Sequence, residues 1–287
     1  LPNIGLRNEL PSSLAYLSNL VHIDVQENEL SGEIPTWLAL LENLQVLSLS
    51  RNNFKTGTIP TEYSQLTELR TLRLESCSLT GIFPLEIVLK MTRLHALFLG
   101  FNALTGPLPE EIRALSDMKY FSLNSNYFTG TIPAELGNSW TNLEIFNVGF
   151  NEFTGTLPRA FSELHRLNFL LLDSNQLTGT IPSNWATLLS LERLRLSKNL
   201  LTGTLPESLN GMSHLIELSF DENLLTGSLP FSWGMFEYLK RISLYGNMLS
   251  GQLPKSYVGW QNVTFIFLSY NLLSGELPDS WGSLRNS

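Results

Sequence analysis

Apolar and polar positions along the chain form a pattern that returns every 24 or 25 residues. In each unit two apolar residues stand one position apart, as Leu47 and Leu49 do, and a polar stretch follows them. Alternation over so short a span is typical of a half-buried β-strand. The chain is therefore predicted to contain about eleven repeats of one small unit. A proline preceded by Ile, Leu or Phe marks the period, at Pro11, Pro35, Pro60, Pro84, Pro109, Pro133, Pro158, Pro182, Pro206, Pro230, Pro254 and Pro278.

A residue with a fixed place follows each predicted strand. It is Asn in ten of the eleven units, as at Asn52, and Cys77 replaces it in the third. The Asn amide has two donor hydrogens and an acceptor oxygen, so it can satisfy backbone groups that the chain leaves unpaired where it turns away from the strand. A Ser-Gly or Thr-Gly pair comes next, and glycine permits the tight turn. We predict a ladder of buried asparagines, with a buried and unreactive thiol at Cys77.

A unit of 24 residues is too small to bury its own apolar side chains. Stacking gives each unit two neighbours and a continuous core, and it places the strands side by side in a parallel sheet. No linker or change of composition interrupts the repeats. The sequence thus predicts one domain over residues 1–287, an α/β solenoid with partial repeats at both ends.

The repeated unit is similar to a known one. A full copy, from Leu188 to Leu209, reads LLSLERLRLSKNLLTGTLPESL, and it resembles the plant-type leucine-rich repeat. The resemblance implies a right-handed superhelix with a parallel β-sheet on its concave face. Members of this class include ectodomains of receptor-like kinases and receptor-like proteins, secreted inhibitors of cell-wall polygalacturonases, and algal surface proteins. The paired cysteines that usually cap plant ectodomains are missing from this sequence, which has Cys77 alone.

The outward face of the predicted sheet has an unusual composition. Side chains alternate along a strand, so the positions six, four, two and one before each ladder residue should point outward. These positions are mostly apolar in the fourth to seventh units, basic in the eighth, acidic in the ninth with Glu217 and Glu222, and partly aromatic in the last two with Phe265 and Tyr270. Because a solvated face is normally polar, aromatic and charged residues together indicate a binding surface. The predicted ligand-binding residues on the concave face are Phe98, Phe101, Tyr120, Phe150, Phe169, Leu171, Arg193, Arg195, Lys198, Asp221, Arg241, Tyr245 and Phe267.

Two structural explanations compete with this hypothesis. Aromatic residues on adjacent strands also stabilise a sheet by packing against one another. The basic residues of the eighth unit and the acidic residues of the ninth can form salt bridges that neutralise each other. The sequence leaves both alternatives open.

No pattern typical of catalysis or metal binding accompanies the repeats. The four histidines lie at different places in different units, and none has the spacing of a metal-ligand pair. A single cysteine excludes a zinc site built from several thiolates and an intrachain disulfide. We predict no enzyme activity, no metal and no cofactor for this segment. The net charge of −8 argues against nucleic acid as a partner, because phosphate binding needs a basic surface.

The sequence says less about the compartment. No stretch approaches the roughly 18 to 20 consecutive apolar residues of a membrane-spanning helix, so this segment is not expected to cross a membrane itself. Asn262, followed by Val263 and Thr264, forms the only N-glycosylation sequon and gives limited support to the secretory route.

The resemblance and the predicted binding face together suggest a non-catalytic ectodomain of a cell-surface receptor-like protein. It would bind a protein, peptide or glycan on the concave face and signal through parts outside this segment, a kinase domain among them if the full protein has one. The expected location is the extracellular face of the plasma membrane or the secreted space. Two alternatives are a secreted inhibitor of cell-wall hydrolases that acts through the charged rows, and an intracellular protein-interaction scaffold.

Overall fold

The structure, a computed structural model, describes residues 1–283. Its contacts divide the chain into two compact units, unit 1 with residues Leu1–Gly130 and unit 2 from Thr131 onward. Residues 284–287 of the predicted domain lie outside the described residues, and the single domain stays a prediction.

Each unit contains a main sheet of parallel strands, one strand from each repeat. The main sheet has five strands in unit 1 and six in unit 2, one strand from each of the eleven repeats that the sequence predicts. Adjacent strands pair in register, so Leu194 lies beside Leu218. The strands are His22–Asp24, Val46–Ser48, Thr71–Arg73, Ala96–Phe98 and Tyr120–Ser122 in unit 1, and Ile145–Asn147, Phe169–Leu171, Arg193–Arg195, Glu217–Ser219, Arg241–Ser243 and Phe265–Phe267 in unit 2.

A second set of parallel strands, which the sequence did not predict, follows the ladder residues. The second repeat, which has one extra residue near Lys55, contributes only a bridge from Gly57 to Leu79. These strands are Arg7–Asn8, Glu29–Leu30, Thr80–Ile82, Ala103–Pro107 and Tyr127–Thr129 in unit 1, and Thr178–Gly179, Leu200–Thr204, Leu224–Ser228, Met248–Gly251 and Leu272–Leu273 in unit 2. We call the last five the second sheet of unit 2.

One short helical turn after each repeat proline returns the chain toward the next strand. Proline fixes φ near −65°, and Pro206 and Pro230 have φ of −71° and −64°. Most turns are 3-10 helices, at Ser12–Tyr16, Thr36–Leu40, Thr61–Gln65, Glu110–Ala114, Arg159–Glu163, Ser183–Thr187, Glu207–Gly211, Phe231–Met235, Lys255–Gly259 and Asp279–Ser283. The two α-helical turns are Leu85–Val88 and Leu136–Ser139.

Large side chains from these turns fill the core and tie adjacent repeats together. Trp185 and Trp233 are fully buried at the third position after the proline. The indole Nε1 of Trp185 donates a hydrogen bond to the Pro158 carbonyl at 3.0 Å, and that of Trp233 donates to the Pro206 carbonyl at 3.0 Å. The only polar atom of each indole is thus satisfied by the backbone of the preceding repeat.

The asparagine ladder is confirmed. Asn223 donates from Nδ2 to the carbonyl of Leu196 in the preceding repeat at 3.0 Å and to that of Phe220 at 3.1 Å. Its Oδ1 accepts a hydrogen bond from the backbone N–H of Leu201 at 3.0 Å. Asn199 makes the same three bonds one repeat earlier. Each buried amide therefore satisfies backbone groups of its own repeat and of the one before it.

Cys77 occupies the ladder position of the third repeat, as predicted. Its Sγ lies 3.4 Å from the Leu49 carbonyl and its side chain is fully buried. Burial, together with the nearby charge of Glu75, raises the pKa of this thiol to about 12. The thiol is therefore protonated at neutral pH, as expected of an unreactive cysteine.

The Thr-Gly-Thr segments of unit 2 pack one repeat against the next. Gly203 has φ of +81°, a conformation that favours glycine. A Cβ at this position would lie only 2.8 Å from the Cγ2 methyl of Thr180 in the preceding repeat. The same arrangement joins Gly227 to Thr204. Glycine is thus required both by the turn and by the methyl group that covers it.

Candidate ligand-binding surface

Most outward positions of the main sheet are partly or fully exposed, as the alternation predicts, although Ser122, Ser219 and Ser243 are buried. In the strand Arg193–Arg195 the central Leu194 is fully buried, whereas the two arginine side chains are 49% and 41% exposed. Phe98 in unit 1 and Phe169 in unit 2 are half-buried and belong to the sheet surface instead of the core. We call these outward positions of a unit its binding face.

The residue just before each ladder position has a left-handed backbone in most repeats. Phe101, Phe150 and Tyr270 have φ of 56°, 55° and 57°, and their side chains are 57%, 56% and 76% exposed. This conformation costs roughly 1–2 kcal/mol for a residue with a Cβ. Lys198 shares it, with φ of 55°. The structure thus presents three aromatic rings to solvent at positions where the backbone conformation does not favour them.

Unit 1 brings together two of the predicted aromatic residues. The rings of Phe98 and Tyr120 stack with centroids 6.5 Å apart. The guanidinium of Arg73 lies 3.9 Å above the Phe98 ring, a cation–π contact that the sequence did not predict. The contact between Phe98 and Tyr120 is therefore cross-strand packing that stabilises the sheet, which is the structural alternative to a ligand-binding role for these rings.

In unit 2 the predicted basic and acidic rows meet at Glu217. Arg195 donates two hydrogen bonds to this carboxylate, from Nε and Nη2, each 3.0 Å long. The Nε atoms of Arg193 and Arg241 lie 3.9 Å from the same group, whose side chain is only 13% exposed. The hydrogen bond to Glu217 raises the pKa of Arg195. The rows thus neutralise each other in part, with three arginines around one carboxylate.

Aromatic rings support the two outer arginines of this cluster. The guanidinium of Arg193 lies 4.9 Å from the centroid of the Phe169 ring. That of Arg241 lies 5.6 Å from the Phe265 centroid and 4.8 Å from the Phe267 centroid. The rings of Phe265 and Phe267 are nearly parallel, 6.2 Å apart, and are 53% and 39% exposed as residues. Basic and aromatic side chains therefore form one continuous surface.

A polar cavity of about 350 Å³ lies beside this cluster. Asp221, a predicted site residue, accepts hydrogen bonds there from the hydroxyls of Ser197, at 2.9 Å, and Ser243. Asp173 also lines the cavity, and burial raises the pKa of its carboxyl group. The predicted residues did not include Asp173, Ser197 and Ser243, although each occupies an outward position by the repeat count.

Tyr245, another predicted residue, pairs with Tyr270 at 5.0 Å between ring centroids. Lys198 lies 3.8 Å from Glu222 in an exposed ion pair. Leu171 is half-buried beside Arg195 on the adjacent strand. Asn262 is exposed, and its Nδ2 donates a hydrogen bond to the Glu237 carbonyl at 2.8 Å.

A second surface of unit 2 has no charged side chains over three repeats. We call it the threonine face, and it consists of Leu200, Thr202, Thr204, Leu224, Thr226, Ser228, Met248, Ser250 and Gln252 on the second sheet and directly after it, all of them exposed. The hydroxyl of Thr202 donates to the Gly179 carbonyl and that of Thr226 donates to the Gly203 carbonyl, both at 3.4 Å. Equivalent side chains therefore repeat in the same orientation from strand to strand.

Among residues 1–283, no group of three or more His, Cys, Asp or Glu side chains is placed to hold a metal ion. In the same range no helix has the length and apolar character needed to cross a membrane.

Two families described as leucine rich repeat match the chain. One matches residues 119–177, and the other matches residues 19–41, 43–66, 190–212 and 262–284. Receptor like protein 24 of Arabidopsis thaliana is 35% identical over 80 residues, which is 28% of this chain and 9% of that protein. Receptor-like protein 14 of the same plant is 40% identical over 79 residues, 26% of this chain and 8% of that protein.

Solved structures match nearly the whole chain. The plant peptide hormone receptor RGFR1 in complex with RGF2 is 29% identical, with a TM-score of 0.88 over 98% of this chain and 48% of that one. The complex of PEPR1 with AtPEP1 is 30% identical, with a TM-score of 0.86 over 99% of this chain and 43% of that one. A plant ice-binding protein is 29% identical, with a TM-score of 0.74 over 89% of this chain and 82% of that one.

The chain spans less than half of the two receptor structures and about a tenth of the receptor-like proteins that it matches. Its eleven parallel strands, its asparagine ladder and these matches agree on the repeat type. The chain belongs to the leucine-rich-repeat family, and its repeats are of the plant type.

Proposed function

We propose that this chain is the ligand-recognition part of a cell-surface receptor-like protein, is not itself an enzyme, and binds a peptide or protein segment on the binding face of unit 2. The observation that carries the proposal is the surface of Arg193, Arg241 and the aromatic rings beneath them, all partly exposed. Aromatic residues and arginine are the residue types that contribute most to protein interfaces. The similarity to receptors solved with peptide ligands supports the choice of a peptide over a glycan.

A displayed library of random peptides tests this proposal. We expect the unsubstituted chain to select a limited set of sequences. A variant with Phe169→Ser, Phe265→Ser and Phe267→Ser should bind those peptides at least tenfold more weakly, because it loses about 1.4 kcal/mol or more of aromatic contact. The matched control carries Leu200→Ser and Leu224→Ser on the threonine face, where exposure is similar at 48% and 44%. Equal loss in both variants, or no selected sequence, would contradict the proposal.

The cellular part of the proposal has its own test. An antibody against this segment should stain cells that express the full-length protein without permeabilisation. Staining that requires permeabilisation would favour an intracellular scaffold.

A second candidate function concerns the threonine face. We propose that it binds ordered water at an ice surface, which the similarity to a plant ice-binding protein favours. Its Thr and Ser side chains form short rows across paired strands, with Thr204 beside Thr226 and Ser228 beside Ser250 at the strand spacing of about 4.8 Å, and the face contains no charge. A regular and uncharged surface of this kind can match the regular positions of water molecules in the lattice of ice.

Inhibition of ice recrystallisation tests this candidate. Thr202→Lys with Thr226→Lys should abolish any inhibition that the unsubstituted chain shows, because two bulky cations interrupt the rows. Phe169→Ser, on the other surface, should leave it unchanged. A protein without any effect on ice growth, or an effect that survives the lysines, rules the candidate out.

A further inference from the structure

The cluster around Glu217 has an uneven distribution of hydrogen bonds. Arg193, Glu217 and Arg241 occupy equivalent positions on three adjacent strands, with the carboxylate in the middle. Arg195 donates a hydrogen bond of 3.0 Å to each of the two carboxylate oxygens of Glu217. The two outer arginines approach no closer than 3.9 Å, which is beyond hydrogen-bonding distance. Glu217 therefore attracts Arg193 and Arg241 by charge alone and accepts no hydrogen bond from their N–H groups.

The outer arginines are nevertheless held in place. The guanidinium of Arg193 lies over Phe169, and that of Arg241 lies over Phe265 and Phe267. A guanidinium that stacks on an aromatic ring contacts the ring through its flat face. Its five N–H donors lie in the plane of the group and point outward from its edges. The two side chains are 49% and 42% exposed, so these edges are accessible. Two partly exposed sets of N–H donors thus lie on either side of Glu217.

We propose that Arg193 and Arg241 bind two acidic side chains of a peptide ligand in the polyproline II conformation, three residues apart in its sequence. This inference rests on the proposed function of peptide recognition. Two strand spacings separate the backbones of the arginines, about 9.6 Å. A polyproline II peptide rises about 3.1 Å per residue with three residues per turn, so side chains three residues apart lie on one side at about 9.3 Å.

Other peptide conformations fit this spacing less well. In an extended strand, side chains two residues apart share a side but are separated by only about 6.8 Å. Side chains three residues apart reach about 10 Å but point to opposite sides. An α-helix would need about six residues to cover the same distance. The arginine spacing therefore favours the threefold period.

The surroundings favour a peptide over an acidic polysaccharide. Phe169 lies beside Arg193, and Phe265 and Phe267 lie beside Arg241, and these rings offer apolar area at both ends of the cluster. A chain of uronic acids has carboxylates but no apolar side chains to cover the rings. The net charge of −8 makes general attraction of acidic polymers unfavourable, so binding must depend on the local arginines.

The probe is a capped, fluorescently labelled peptide Phe-Glu-Pro-Pro-Glu-Phe with a C-terminal amide. We expect it to bind the unsubstituted chain, measured by fluorescence anisotropy, and to bind Arg193→Gln and Arg241→Gln about tenfold more weakly, since a charge-assisted hydrogen bond is lost. Arg166→Gln, which removes an exposed arginine elsewhere in unit 2, is the matched control and should not change the affinity.

Glu217→Gln separates recognition from a purely structural cluster. This variant keeps the size of the side chain and removes the negative charge that competes with the ligand, so the probe should bind more tightly than to the unsubstituted chain. If the cluster only holds the sheet together, Glu217→Gln and the arginine variants should lower thermal stability and leave probe binding absent or unchanged. That result would overturn the inference.

Two further peptides test the spacing and the charge. Phe-Glu-Pro-Glu-Pro-Phe has the same composition with its acidic residues two apart, and Phe-Gln-Pro-Pro-Gln-Phe has no charge. Both should bind at least tenfold more weakly than the probe. Equal binding of either peptide, no binding of the probe, or tighter binding of a linear uronic-acid oligosaccharide would each refute this inference. If the random library still selects peptides that depend on Phe169, the proposed function survives that failure.

Discussion

At the residue scale, the ladder positions carry most of the structural information in the sequence. Asn223 was predictable from its period alone, because a buried amide after a strand has few other uses. The partners of Glu217 were not predictable. The strand register places Arg193 and Arg241 beside Glu217. That Arg195 donates hydrogen bonds to both oxygens of this carboxylate depends on side-chain conformations, which the sequence does not specify.

The Asn223→Ala substitution measures what one ladder amide contributes. It leaves the N–H of Leu201 without its acceptor, whereas the carbonyls of Leu196 and Phe220 each keep a second amide donor, from Asn199 and Asn247. One unsatisfied buried group costs about 1–3 kcal/mol and each of the two other lost hydrogen bonds costs about 0.5–1.5 kcal/mol, so the free energy of unfolding should fall by about 2 kcal/mol or more. Urea denaturation gives the value. Asn184→Ala removes an exposed bond to the Arg159 carbonyl and should cost less than about 1 kcal/mol. Similar losses in the two variants would contradict the role of the ladder.

The raised pKa of Cys77 predicts a specific dependence of stability on pH. Its pKa is about 12 in the folded chain, compared with an ordinary value of 9.0. Between these values the unfolded chain loses the proton and the folded chain keeps it, so stability falls as pH rises from about 9 toward 12. The slope from this group approaches about 1.4 kcal/mol per pH unit. Cys77→Ala should reduce the alkaline loss of stability, as measured by urea denaturation at several pH values. An unchanged pH profile would show that the thiol is already accessible.

At the element scale, the main strands followed from the alternation of apolar positions, whereas the second sheet did not. Its strands are short and most contain a glycine with positive φ, as at Gly203, so they lack the pattern typical of a strand. The helical turns after proline were likewise unpredicted, because five residues are too few to show a helical period.

Comparing two glycines separates backbone strain from steric conflict. Gly203 and Gly251 have nearly equal φ, +81° and +82°. A Cβ would lie 2.8 Å from the Thr180 methyl at Gly203, but 3.6 Å from the nearest atom, in Ser228, at Gly251. Gly251→Ala should cost about 1–2 kcal/mol for the left-handed backbone, and Gly203→Ala should cost more.

The excess cost of Gly203→Ala should disappear when Thr180→Ser is added, because serine lacks the Cγ2 methyl. The coupling free energy from urea denaturation of the single and double variants measures this contact. A coupling of zero would show that the methyl group moves away at no cost.

At the scale of the whole molecule, the sequence predicted the number of repeats but gave no sign of two compact units. The period is nearly uniform from Pro35 to Pro254, and no change of composition marks Thr131. The binding residues were predictable as positions on the sheet surface. Their grouping into a stack in unit 1 and an arginine cluster in unit 2 depends on side-chain packing, which the period does not specify.

The glycosylation sequon gives a test of the secretory route. Asn262 is exposed, and a glycosylated amide keeps one N–H, so its hydrogen bond to the Glu237 carbonyl can persist. Expression through a eukaryotic secretory pathway should yield a protein whose electrophoretic mobility increases after N-glycosidase treatment. Thr264→Ala, which destroys the sequon, should migrate like the treated protein from the start. A mobility that the enzyme leaves unchanged would show that the sequon is not used.

The repetition of outward positions has a consequence for how such a surface evolves. The repeats present their side chains at the same places, and they contact their neighbours through ladder amides and, in several repeats, through a threonine methyl or an indole group. Unequal recombination that removes or duplicates 24 residues therefore rejoins compatible interiors. Such recombination changes the distance between the surface side chains before the altered repeat and those after it by one strand spacing, about 4.8 Å. A lineage can thus change the distance between Arg193 and Arg241, and with it the ligands it accepts, in one genetic event that leaves the interior intact.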